Sequence, residues 1–87
     1  MREAYLAALK SVLHVQLMQS RGALGLTQTQ MAEVLMMDVR SYIDLDHGKS
    51  MCGTLSFVLF LLYCCQDRDA LLQTIQMAFD KVRDDVA

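Results

Sequence analysis

The sequence predicts an all-α domain, and three observations predict it. The chain has no proline, and 54% of its residues are hydrophobic, a composition that favours packed helices over sheet-and-turn architecture. Its apolar residues recur every three or four positions through five segments instead of alternating. Cap residues punctuate those segments, with Thr27, Asp38, Thr54 and either Asp67 or Asp69 at starts and Gly25 and Gly48 at stops. At 87 residues the expectation is one domain, 1–87, with one modest core.

The first helix is expected over residues 3–20. Leu6, Leu9, Leu13 and Leu17 form its stripe, Ala4, Ala7 and Ala8 raise its propensity, and Tyr5, Val12 and Val15 widen the apolar face. Gly22 and Gly25 bracket its end, with Gly25 as C-cap. His14 has no acid or metal ligand placed beside it, so it reads as a satisfied or surface histidine.

Two short helices follow. The second is expected from about Thr27 to Leu35, with Thr27 and Gln30 spaced as a capping box and Met31, Val34 and Leu35 apolar around the small Ala32. Asp38 caps the third, which runs to about Asp46 with Val39, Tyr42 and Leu45 on one face. Gly48 stops it, and Lys49 stands beside the last carbonyls. Helices this short and this close fold back steeply, as in a helix-turn-helix, with its core at about 27–47.

In the fourth helix, Leu55–Cys65, Phe57, Phe60, Leu61 and Cys64 follow i, i+3, i+4, i+7, while Leu55, Leu59 and Leu62 make a second stripe. Thr54 is its N-cap candidate, and Gly53 supplies the preceding bend. A helix apolar all round requires cover on every side, from the last helix or from another chain. The last helix, about Asp69 to Val86, carries Leu72, Ile75, Phe79, Val82 and Val86 on one stripe, broadened by Leu71 and Ala78 and capped by Asp67 or Asp69. It is long enough to cross the fourth helix and still join a homodimer through 55–65 and 69–86. The simpler alternative is that the first and fifth helices enclose the fourth.

Several residues in this order resemble the phage-repressor/Cro-type (XRE-like) helix-turn-helix family of bacteria and their phages. They are the Leu26-Thr27-Gln28 start, the Ala32-Glu33 pair, Leu35, Tyr42, Leu45 and the Asp46-His47-Gly48-Lys49 exit. Arg21 stands where that family often has an Arg at the end of its first helix. The resemblance implies a compact five-helix lambda-repressor-like fold, here with a long first helix and a C-terminal helix. It also implies sequence-specific binding of double-stranded DNA, with helix 38–46 in the major groove. Met36 stands at the turn position where the family usually has a left-handed Gly, at a cost of about 1 kcal/mol for a side chain.

By the same resemblance, Val39, Arg40, Ile43 and Asp44 face base edges, and Ser41 lies near the backbone. The planar fork of Arg40 can pair with guanine O6 and N7, and Val39 or Ile43 can touch a thymine methyl. Gln28 corresponds to the family's phosphate-touching, bracing Gln. Thr27, Arg21 and Lys49 add phosphate contacts, together with helix N-terminal amides.

Charge pulls against this reading. Within 36–49, Asp38, Asp44 and Asp46 oppose Arg40 and Lys49, and the whole chain has net charge −2. Few cations release few counterions, so non-specific affinity should be weak and the salt slope shallow. The runner-up is therefore a protein-interaction module, antitoxin-like or an adaptor, that keeps the helix-turn-helix as a scaffold.

Other classes lack their signatures. No nucleophile–base pair, paired carboxylates or Gly-rich phosphate loop suggests an enzyme, and no cofactor or small-molecule ligand is implied. Cys52, Cys64 and Cys65 lack metal-ligand spacing and read as buried, reduced thiols of a cytoplasmic protein. The apolar run at 55–65 falls short of the roughly 18 residues that span a bilayer, and it lacks the basic face of an interfacial helix.

Overall fold

The computed structural model describes residues 2–86. Five helices follow one another: α1 (Arg2–Leu24), α2 (Gln28–Val34), α3 (Val39–Asp46), α4 (Thr54–Leu59) and α5 (Arg68–Val86). A π-helical turn, Phe60–Cys64, extends α4. There is no strand among the described residues, so the all-α expectation holds. The 23 residues of α1, about 34 Å at a 1.5 Å rise, set the 41 Å long dimension of the molecule.

α5 runs antiparallel along α1. Gln19 and Ser20 lie beside Asp67 and Ala70 at one end, and at the other the rings of Tyr5 and Phe79 meet edge to face with centroids 5.0 Å apart. α2 and α3 pack on each other, and α3 also rests on α1. The core lies where these elements converge, with Leu13 and Leu17 of α1, Met31, Ala32 and Leu35 around α2, Tyr42 and Leu45 of α3, then Phe60, Cys64, Cys65 and Leu71.

The caps expected from the sequence largely form. Thr27 and Gln30 close a reciprocal capping box, with Thr27 N donating to Gln30 Oε1 at 2.9 Å and Gln30 N to Thr27 Oγ1 at 3.1 Å. Asp38 Oδ1 accepts from Ser41 N at 3.1 Å, and Asp67 Oδ1 accepts from Ala70 N at 3.0 Å. Thr54 is an exception. Gly53 holds the N-cap position of α4, Thr54 is the first helical residue, and no side chain caps this end.

Three helices end in one way. Leu26 N bonds to Arg21 O and Gly25 N to Gly22 O; Met37 N bonds to Ala32 O and Met36 N to Glu33 O; Lys49 N bonds to Asp44 O and Gly48 N to Leu45 O. Each is the paired 6→1 and 5→2 pattern of a Schellman stop around a left-handed residue. Gly25, Met36 and Gly48 hold φ of +67°, +55° and +74°. Met36 thus occupies the left-handed turn position expected of it.

Four expectations need correction. α1 continues to Leu24, past the expected end at residue 20, because Gly22 is tolerated inside the helix and the Schellman stop forms only at Gly25. The expected single helix over 55–65 changes geometry at Phe60, where Cys65 N bonds to Phe60 O, an i→i+5 closure. In α5 the inward residue is Leu71, while Leu72 is exposed. Leu6 and Val15 of α1 are also exposed, because α5 covers only one side of that helix. The side chain of Val86 lies outside the described residues.

Met36 is 72% exposed, so its side chain contributes little packing to offset its strained backbone. Met36→Gly should therefore raise stability by about 0.5–1 kcal/mol after the entropic cost of glycine, seen as a Tm increase of a few degrees in thermal unfolding. A lower Tm would show that the exposed methionine makes a contact that matters.

Candidate nucleic-acid interface

The site begins with a buried carboxylate. Asp46, the last residue of α3, is only 3% exposed. Three groups converge on it: Tyr42 Oη donates to Oδ1 at 3.2 Å, Gln28 Nε2 donates to Oδ2 at 3.3 Å, and the Arg21 guanidinium stands 3.6 Å from Oδ2. His14 Nδ1 donates to the Asp46 backbone carbonyl. One residue thereby ties α1, α2 and α3 together. Burial, then the neighbouring carboxylate, pushes the Tyr42 phenol far above its usual range and keeps it a hydrogen donor.

This network relocates two expected phosphate contacts. Gln28 is half-buried with its amide committed to Asp46, which fits the bracing role. The cation of Arg21 faces Asp46, and its Nε is buried without a partner. The acid at Asp46 is structural. Sequence reasoning missed the part played by His14, whose partner lies 32 residues away. Gly48 packs beside His14, and its positive φ strains any side chain placed there.

With Tyr42, Leu45 and Asp46 turned inward, the other side of α3 is free. Val39, Arg40, Ser41 and Asp44 are exposed and Ile43 is half-buried. Lys49 and Thr27 are exposed at the neighbouring helix ends, with the Thr27 hydroxyl held in its capping box. The residues expected to read bases therefore share one short helix and stand clear of the core. Asp38 caps that helix, and hydrogen bonding from the Ser41 side chain and amide holds its carboxyl below the usual value. Its charge lies close to Arg40.

The three thiols are far from this face in character. Burial pushes the thiols of Cys52, Cys64 and Cys65 up, which favours their protonated form. Cys64 and Cys65 are buried and Cys52 is half-buried, in line with structural thiols. Among the described residues, no three His, Cys, Asp or Glu side chains gather into a metal-holding group. No helix among them is long and apolar enough to cross a membrane. Compared with known proteins, the chain matches no family model, no curated protein and no solved structure.

Removing the Asp46 carboxylate leaves a buried phenol, an amide and a partly solvated guanidinium unpaired. Asp46→Ala should cost about 3 kcal/mol, the lower end for breaking a buried ion pair because Arg21 retains some water. That corresponds to a Tm fall of roughly 12–24 °C in a domain of this size. Asp46→Asn, which keeps an acceptor for Tyr42, should lose less. Equal losses in calorimetry would assign the stability to charge alone.

Proposed function

We propose that the protein is a sequence-specific DNA-binding regulator that reads the major groove with the outer face of α3 and works in the cytoplasm as a pair of chains. The observation that carries this reading is the division of α3 into a locked face and a free one. Tyr42, Leu45 and Asp46 fix the helix from behind, and Arg40 projects on the exposed side beside Val39, Ser41 and Asp44. Recognition needs a rigid helix with a forked cation directed outward, and this arrangement supplies both. The proposed roles follow the exposure: Arg40 reads a base, Val39 and Ile43 make methyl contacts, and Ser41 and Lys49 meet the phosphate backbone. Gln28 orients α3 from behind through Asp46.

A second reading has its own support. Asp44 is exposed on the same face, and Val34, Met36 and Val39 expose apolar surface around the turn. Acids repel phosphates, and exposed apolar groups suit a protein surface better than a sugar–phosphate one. The competing function is a protein-interaction module that keeps the helix-turn-helix as a scaffold.

Selection of bound sequences from a random duplex pool, at low and moderate salt, separates the two. Wild type should enrich a palindrome, and Arg40→Ala should lose about 1–3 kcal/mol of discrimination at one base position per half-site. The salt slope should be shallow, reflecting few phosphate contacts. If no sequence is enriched at either salt, the regulator reading fails and the protein-interaction reading takes its place.

A further inference from the structure

Three acids lie on α3 or at its start: Asp38, Asp44 and Asp46. The fold commits two of them. Asp38 caps the helix through the Ser41 amide, and Asp46 is buried against Tyr42, Gln28 and Arg21. Asp44 has no such task. Its side chain is exposed and, among the described residues, accepts no hydrogen bond and joins no ion pair. The Lys49 amide bonds to the Asp44 carbonyl at 2.8 Å, yet the Lys49 ammonium makes no ion pair with the carboxylate.

Arg40 stands four residues earlier, is exposed too, and makes no hydrogen bond or ion pair among the described residues. Four residues of α-helix advance about 6 Å and turn a net ~40°, so the two side chains share one outer face. They do not pair with each other, and an acid C-terminal to its base is the weaker order for an i, i+4 pair. Val39 and Ile43 form a second i, i+4 pair beside them. The face thus presents a fork of donors and an acceptor-only carboxylate next to two apolar side chains.

Base edges in the major groove differ in what they offer a carboxylate. Guanine shows two acceptors, and thymine shows an acceptor and a methyl, so neither can donate to it. Adenine has a donor at N6 with the N7 acceptor beside it, a pairing that suits an amide. Cytosine shows only its N4 donor. We propose that Asp44 is a specificity-determining residue that accepts a hydrogen bond from N4 of one cytosine in each half-site. The assignment rests on the DNA reading proposed above and names what that face selects. The advance from Arg40 to Asp44 places the cytosine within about two base-pair steps of the base that Arg40 reads. An acid here weakens binding to every duplex by repelling phosphates, and weakens it least where a cytosine amino group meets it. Asp44 thereby adds discrimination while lowering overall affinity.

The test is selection from a random duplex pool at low salt with the full chain, as wild type, Asp44→Asn, Asp44→Ala and Arg40→Ala. Titrations on the enriched duplex and its single-base variants follow. Wild type should enrich a cytosine at one position per half-site, within two steps of the position that Arg40→Ala releases. Replacing that C·G pair should weaken wild-type binding about tenfold. Asp44→Asn should move the preference from cytosine to adenine at that position alone, because an amide matches adenine N6 and N7. Asp44→Ala should flatten it. Both Asp44 variants should keep the wild-type Tm, since the side chain is exposed and unpaired. A uniform gain in affinity with unchanged base preference would make Asp44 a mere repulsive charge and overturns the proposal. An enriched sequence in which no position responds to Asp44 overturns it and leaves the DNA reading standing. No enrichment by any of the four proteins overturns both.

Discussion

The buried carboxylate of Asp46 is the constraint on which the packing of α1, α2 and α3 depends. A carboxylate shielded from water is tolerable only if donors surround it, and Tyr42, Gln28 and Arg21 approach from three helices to do so. Each donor belongs to a different element, so satisfying the acid fixes how α1, α2 and α3 sit together. The His14 bond to the carbonyl of the same residue adds a second tie between α1 and the end of α3. Hydrophobic contacts among Leu13, Leu17, Met31 and Leu45 drive the assembly, but they are non-directional. The directional polar cluster selects the register and angle in which α3 presents its outer face.

The chain reversals follow from backbone physics more than from side-chain contacts. Three Schellman stops at Gly25, Met36 and Gly48 turn the chain within two residues and satisfy carbonyls that would otherwise be orphaned. Two of them use glycine, which enters the left-handed region freely. The third imposes it on Met36, whose side chain remains largely exposed. Strain with no compensating burial, beside the proposed reading helix, is the sort of local conflict that occurs near functional surfaces.

Two outer faces remain once the core is closed, and they differ in chemistry. The α3 face mixes Arg40 and Ser41 with Asp44 and suits a directional, polar partner. The α4 face is apolar and uncharged from Leu55 to Tyr63 and suits contact by area. In the proposed regulator it is the α3 face that would meet the duplex.

How much of this was legible in the sequence depends on the range of the interaction involved. Helix number and class, the Thr27–Gln30 capping box, the Asp38 cap and the stops at Gly25 and Gly48 all rest on interactions within a few residues, and periodicity and cap chemistry express these directly. The same chemistry left Asp67 and Asp69 both open as the last cap, and the left-handed Met36 was legible only through the resemblance. The outward position of Arg40 and the inward positions of Tyr42 and Leu45 follow from the same helical period. Contacts across the chain were not legible. The pairing of His14 with residue 46 and the commitment of Arg21 to an acid 25 positions later depend on where α1 comes to rest. So do the choice of Leu71 over Leu72 and the burial of both Cys64 and Cys65 at the end of the π-turn. Sequence alone determined which segments are helical and where they turn, because those preferences are local. Tertiary structure alone decided which polar groups are committed inside and which faces stay open, because burial belongs to the assembled set of helices and to no single one of them.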